Sequence, residues 1–160
     1  YDPDTDSWCL LSPLPTPRHC AAVCEMDGCL YVAGGAAVNN MLQVVEKYEP
    51  KSGVWTTVSP LLVARSVFSL SYSRARGALF ATCGTNDDDG ARNDSSDEVE
   101  RYDPVADVWT HSAPLPVAFG CIQCATVTTC VNAFDCMLEL AGQGPGQTSL
   151  RSEKRRKRRQ

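Results

Sequence analysis

The sequence predicts an all-β fold of repeated four-stranded antiparallel units, and three observations carry the prediction. Tyr1-Asp2-Pro3, four further residues and then Trp8 return as Tyr48-Glu49-Pro50 with Trp55, and as Tyr102-Asp103-Pro104 with Trp109. Between these units lies an apolar run closed by small residues: Leu30-Tyr31-Val32-Ala33-Gly34-Gly35 aligns with Leu79-Phe80-Ala81-Thr82-Cys83-Gly84. No helical spacing of apolar residues competes with the strand pattern before the C-terminal tail. The period is 47 residues from Trp8 to Trp55 and 54 from Trp55 to Trp109, the difference being a polar insertion at 85–97.

Taken in order, residues 1–16 read as the last strands of a preceding unit. Residues 17–61 read as a complete one. Its first strand falls near His19–Glu25 and its second near Gly28–Val32, joined by Asp27-Gly28, a dipeptide that favours tight hairpins. The third runs through Gln43–Tyr48, Pro50-Lys51-Ser52-Gly53 supplies turn chemistry, and the fourth covers Val54–Val58. Residues 62–116 repeat the plan, with strands near Val67–Ser73, Ala78–Thr82, Val99–Tyr102 and Val108–His111 and with the acidic insertion 85–97. Residues 117–141 are expected to be a degenerate or truncated unit, in which Cys121–Thr129 reads as a first strand. Residues 142–160 read as a flexible basic tail. Four antiparallel strands per ~45–50 residues make a propeller blade. Two complete blades leave apolar faces uncovered at both ends, so an open wedge and a piece of a longer protein are expected; the chain begins with Tyr rather than Met.

The motif continues beyond each Trp, as Pro13-Leu14, Pro60-Leu61 and Pro114-Leu115, and then as Arg18 and Arg65, with Phe119 in the third copy. Val45-Glu46-Lys47 and Val99-Glu100-Arg101 precede the second and third Tyr. Together these residues resemble the kelch family, and the resemblance implies an incomplete kelch β-propeller over residues 1–118. Gly34, Gly35 and Gly84 are then expected to permit positive φ and close approach of neighbouring blades. Tyr48, Trp55, Tyr102 and Trp109 are expected to fill the space between sheets. Each such ring buries ~150–250 Å², an upper limit of ~4–6 kcal/mol.

Charge and cysteine content exclude several functions. Residues 151–160 hold seven Lys/Arg and one Glu, leaving eight Lys/Arg against eighteen Asp/Glu in residues 1–150. An acidic body lacks the cationic face that nucleic acid requires. The longest stretch without Asp, Glu, Lys or Arg, Val108–Phe134, is broken by Pro114, Pro116 and Gly120, so no membrane span is expected. Nine cysteines at irregular spacing do not resemble a disulfide framework and point to a reducing compartment, hence the cytoplasm. The tail around Lys154–Arg159 has the composition of a nuclear-localisation patch, or is a disordered remainder beyond the point where the repeat pattern stops.

Several groups could in principle carry chemistry. Cys121 and Cys124 have zinc-ligand spacing and Cys130 and Cys136 lie just beyond, yet residues three apart on a strand face opposite sides. His19 and His111 show no spacing that would pair either with an activated thiol. Asp87-Asp88-Asp89 are consecutive, unlike the alternating ligands of a calcium loop, and read as a solvated acidic loop. No catalytic residue, metal or cofactor is expected.

The short-loop Tyr-Asp-Pro and Trp pattern is similar to that of the kelch-like proteins in which a BTB domain precedes the propeller. The resemblance implies a substrate receptor for a cullin-RING ubiquitin ligase, binding a protein substrate through propeller loops and cullin through a BTB domain that is absent from this chain. An actin-associated or cytoskeletal scaffold is the alternative. Mapped here, the loops expected to face a partner are 12–18, 36–42, 60–65 and 85–97. Arg18 and Arg65 either offer guanidinium forks to an acidic or phosphorylated peptide or brace their own loops. Asn39, Asn40 and Asn86 are placed to pair with an extended peptide backbone, and Asp88 to attract a basic one.

Overall fold

The β1–β2 hairpin shows how closely local chemistry sets the chain path. Strands β1 (Ala22–Met26) and β2 (Cys29–Ala33) pair antiparallel, with Met26 opposite Cys29. The two residues between them, Asp27 and Gly28, have φ of 51° and 80°. Positive φ at both centres is what a twisted two-residue hairpin demands, and Asp-Gly tolerates it. Side chains that share one face here include Cys24, Met26, Cys29 and Tyr31.

This computed structural model describes residues 1–38, 40–86 and 94–120, all within one compact unit, Tyr1–Ala125. Strands β3 (Val45–Glu49) and β4 (Val54–Val58) complete a sheet of order β1-β2-β3-β4. In the second sheet, β5 (Ser69–Ser73), β6 (Ala78–Thr82), β9 (Val99–Asp103) and β10 (Val108–Ser112) follow the same order. The fold is thus all-strand, and each strand lies within two or three residues of its sequence-derived position.

Two places differ from expectation. Residues 1–16 form no strand; they hold an isolated bridge between Asp2 and Ser7, whose backbone bonds are 2.8 and 3.2 Å. That bridge has the register of Glu49 opposite Val54 and of Asp103 opposite Val108. The insertion at 85–97 is not loop throughout, because β7 (Thr85–Asn86) pairs with β8 (Asp94–Ser95) at its base. The reading of Cys121–Thr129 as a strand, the zinc spacing from Cys121 to Cys136 and the basic tail lie outside the described residues.

The recurring Tyr-(Asp/Glu)-Pro unit has a physical account. In β9 the Asp103 carboxylate accepts the amides of Val105 and Ala106 at 2.9 and 3.1 Å, closing the turn beyond Pro104. Those amides hold its pKa below the ordinary carboxylate value. Asp2 accepts the amide of Asp4, and Glu49 that of Lys51, in the same places. Each turn ends with positive φ, at Asp6, Gly53 and Asp107. The chain then returns so that Trp stands opposite Tyr, with ring centroids 5.0 Å apart in both sheets.

The core lies between the sheets. Tyr31 of the first meets Tyr102 of the second at 6.1 Å, and Met26, Val45, Leu61, Phe68, Leu70 and Leu79 are buried around them. Burial raises the Tyr31 phenol to about 12, with Cys29, Asp27 and Asp107 adding to the effect. Backbone bonds stitch the sheets: Gly35 N–H to Arg65 O at 2.9 Å and Val67 N–H to Cys20 O at 3.0 Å. Gly34 and Gly35, at φ of 57° and 93°, are needed there. A Cβ on Gly34 would stand 2.6 Å from Arg65 O and 2.7 Å from the Phe68 ring. Gly84 meets Phe68 and the Ser66 carbonyl as closely. Cys83 occupies the Gly34 position in the second sheet, keeping φ of 61°.

Candidate functional site

Each blade carries a buried acid–base brace. Arg18 enters from the segment before β1 and donates to the carbonyls of Gly34 and Val44 at 3.1 and 2.8 Å, and to the Glu46 carboxylate. Arg65 repeats this before β5, donating to Cys83 O at 2.9 Å, Glu98 O at 3.3 Å and Glu100 Oε1 at 2.6 Å. Both arginine side chains are 1% exposed. Burial acts to lower the Arg18 pKa, and the charge of Glu46 works against that. The carbonyls so gathered end the second strand and begin the third, and those of Val44 and Glu98 also accept the Gly34 and Cys83 amides at 3.0 and 3.2 Å.

These surroundings correct one sequence expectation. Arg18 and Arg65 were candidates for peptide binding, and the structure places both inside, with their terminal guanidinium nitrogens bonded to their own blade. The bracing alternative is the one observed. The repeated Val-Glu-(Lys/Arg)-Tyr was the signal for the partner carboxylates, since Glu46 and Glu100 stand at matching positions. A buried carboxylate needs a fixed cation and full hydrogen bonding. Glu100 also accepts the amides of Leu62 and Val63 at 2.7 and 3.2 Å. In the first blade the residue matching Leu62 is Pro15, which has no N–H, and Glu46 takes the Thr16 hydroxyl at 2.9 Å instead.

What remains open at this end of the sheets is a face of loops. His19 bridges Ala36 through backbone bonds of 3.0 and 2.8 Å, and Ala37 N–H bonds Asn40 O at 2.9 Å. Met41 meets Ser66 of the next blade through its sulfur at 3.8 Å. His19, Cys20, Val38, Asn40 and Val67 are exposed on this face, Val38 by 94%. Asn40 is therefore available to a partner. Asn86 is half-buried and its backbone pairs with Asp94. Asn39 and Asp88 lie outside the described residues. Sequence reasoning did not single out His19, Cys20 and Val67 for this face; Cys20 and Val67 occupy matching positions, and both have positive φ, at 53° and 52°. An imidazole, a thiol, an amide and apolar surface on one face suit a polypeptide ligand. Among the described residues no cluster of three or more His, Cys, Asp or Glu could hold a metal ion.

Residues 17–62 match the family description "Kelch motif". Kelch-like protein 34 of Homo sapiens is 34% identical over 133 residues, covering 79% of this chain and 19% of that protein. The chain is a kelch-repeat chain of the kelch-like type. Kelch-like protein 25 of Xenopus tropicalis is 30% identical over 125 residues, covering 72% of the kelch chain and 20% of the relative. Kelch repeat and BTB domain-containing protein 12 of Homo sapiens is 27% identical over 156 residues, covering 89% and 24%. The kelch chain spans about a fifth of the length of these curated relatives. The solved structure of YjhT superposes with a TM-score of 0.60 at 20% identity, covering 69% of this chain and 41% of that one, which shows the shared fold. The two four-stranded sheets are kelch propeller blades, and the chain is a protein-interaction module.

Proposed function

We propose that these blades form part of a propeller that selects protein substrates for a cullin-RING ubiquitin ligase, with cullin held through a BTB domain outside this chain. The observation that carries the reading is the division of labour between buried and exposed polar groups. The charged braces are consumed internally, while His19, Val38, Asn40 and Val67 form an open face of loops. The kelch-like names of the relatives, one of which includes a BTB domain, support the ligase assignment. An extended substrate segment is read by Asn39 and Asn40, and the acid of Asp88 and its neighbours favours a basic stretch beside it.

Thiols at Cys9, Cys20, Cys24 and Cys29 support a reducing, cytoplasmic setting, and Lys154–Arg159 supports passage to the nucleus. The test uses the complete protein in cells. Val38→Asp and Asn40→Ala together should abolish capture and ubiquitination of the bound substrate while cullin remains associated. Loss of neither, or co-sedimentation of the protein with filamentous actin without cullin, would replace this reading with the cytoskeletal one.

A further inference from the structure

We propose that Val67 is a specificity-determining side chain of the loop face, held at a glycine-type backbone position to contact an aliphatic residue of an extended polypeptide. The inference rests on the reading of that face as one that binds polypeptide. Val67 has φ of 52°, and Cys20, its counterpart one repeat earlier, has 53°. The chain path into each first strand therefore demands the left-handed region, whatever residue stands there. Glycine enters that region freely, whereas a β-branched residue there is a genuine outlier. The same chain uses glycine for positive φ at Gly34, Gly35 and Gly84. A strained residue persists only where the surrounding structure holds it, and such residues gather at ligand clamps.

Packing within the chain does not account for the side chain. Val67 stands between the buried Ser66 and the buried Phe68, yet is itself 36% exposed and lies outside the buried core between the sheets. Its N–H bonds Cys20 O of the preceding blade at 3.0 Å, and the Gly84 amide of its own blade bonds Phe119 O at 3.2 Å. Bonded chain thus precedes and follows this position, so its exposure belongs to the face and not to an end of the sequence. Ser66, next to it, meets the Met41 sulfur at 3.8 Å, which sets Val67 beside the loop 36–42 with its exposed Val38 and Asn40. With the Val67 amide taken by Cys20, the group offered outward is a pair of methyls. They suit an aliphatic side chain, while the Asn40 amide on the same face suits the backbone of an extended segment.

The experiment selects a phage-displayed library of random peptides on the full chain and then measures the recovered peptides against variants. They are expected to carry Ile, Leu or Val at one fixed place. Val67→Gly should bind them about tenfold or more weakly, as loss of apolar burial predicts, and Val67→Asp should recover Lys or Arg at that place instead. In thermal unfolding, Val67→Gly should melt above Val67→Ala, because both lack the two methyls and only glycine relieves the φ of 52°. Equal affinity of Val67→Gly and the unaltered chain overturns the proposal, and so does a Val67→Ala variant as stable as Val67→Gly. If Val38→Asp with Asn40→Ala loses those peptides while Val67→Gly holds them, the face stands and the role of Val67 falls. Recovery of no peptide from the library removes the face and this role together.

Discussion

The joints at Trp55 and Trp109 use the same bonds and differ in depth. In each, an indole donates to the carbonyl of a Ser-Pro pair one repeat earlier, at 3.0 and 2.9 Å, and the serine hydroxyl returns a bond to the turn before the Trp. Trp109 is nonetheless 3% exposed, whereas Trp55 is only half-buried and Trp8, with its Tyr1 partner at 5.2 Å, is 83% exposed. The difference is what lies behind the ring. A complete sheet stands against Trp109, and only residues 1–16, without a strand, stand against Trp55. Hydrogen bonding therefore sets the register between repeats, and apolar contact across sheets supplies the strength.

The largest effect should come from the braces, and it should be unequal between blades. Glu100→Ala removes the closer of Arg65's two counter-charges, Glu98 remaining at 3.5 Å, and leaves the Leu62 and Val63 amides without an acceptor. Breaking a buried ion pair by removing one partner costs ~3–5 kcal/mol. Glu46→Ala orphans Arg18 and a single hydroxyl, so a smaller loss is expected, within the same range. Denaturant titration of both variants checks the order, and equal losses would show that the extra amides contribute nothing. Removing both members together, as Arg65→Met with Glu100→Leu, should cost less than Glu100→Ala alone.

Next come the rings themselves. Trp109→Ala should lose ~3–5 kcal/mol, as full truncation of a buried aromatic does. Trp55→Ala should lose less, and Trp8→Ala should stay within the ~0.5 kcal/mol typical of exposed positions. A series that did not follow this order in thermal unfolding would break the assignment of strength to cross-sheet burial.

Those differences mark where the sequence is legible. Strand positions were readable because repeated Trp, Tyr and Gly fix the period, and Asp27-Gly28 fixes a hairpin by backbone preference alone. Arg18 and Arg65 were recognisable as equivalent, but an Arg four residues after Pro-Leu reads the same whether it points outward or inward. Their direction is set by the carbonyls of Gly34, Val44, Cys83 and Glu98 and by the buried Glu46 and Glu100, which only the folded chain gathers around each guanidinium. The pairing of Thr85–Asn86 with Asp94–Ser95 was not legible because a two-residue ladder leaves no periodicity.

The glycine position offers a finer contrast. Gly34→Ala puts a Cβ 2.6 Å from Arg65 O and should destabilise by ~1–3 kcal/mol, since the neighbouring backbone has to give way. Cys83 already carries a Cβ at the matching place, with φ of 61°. Its sheet is followed by Phe119, whose carbonyl accepts the Gly84 amide at 3.2 Å, against 2.9 Å for the Gly35–Arg65 bond. The second position is thus the looser one, and Cys83→Ala should cost less than Gly34→Ala in the same unfolding assay.

The smallest effect separates the two joints by acid. Asp107 accepts the Ser59 amide at 3.0 Å and the Tyr102 hydroxyl at 2.7 Å, and those bonds hold its pKa below the ordinary 3.8. Burial and the same bond push the Tyr102 phenol up. A carboxylate with a depressed folded-state pKa adds stability that is fully present above its unfolded value and is lost as pH falls through the folded one. The Trp109 joint should therefore loosen below about pH 4, by a small amount because Asp107 is exposed. At the matching position of the Trp55 joint stands Gly53, which has no carboxylate, so that joint should lack this acid step. Indole N–H exchange measured between about pH 5 and pH 2.5 reads both joints in one sample. Asp107→Asn, which keeps an acceptor for Ser59 and suits positive φ, should remove the acid step at Trp109 and leave Trp55 as it was. An acid step of equal size at Trp55 would mean that the sheets loosen as a whole, and that Asp107 has no special part in the joint.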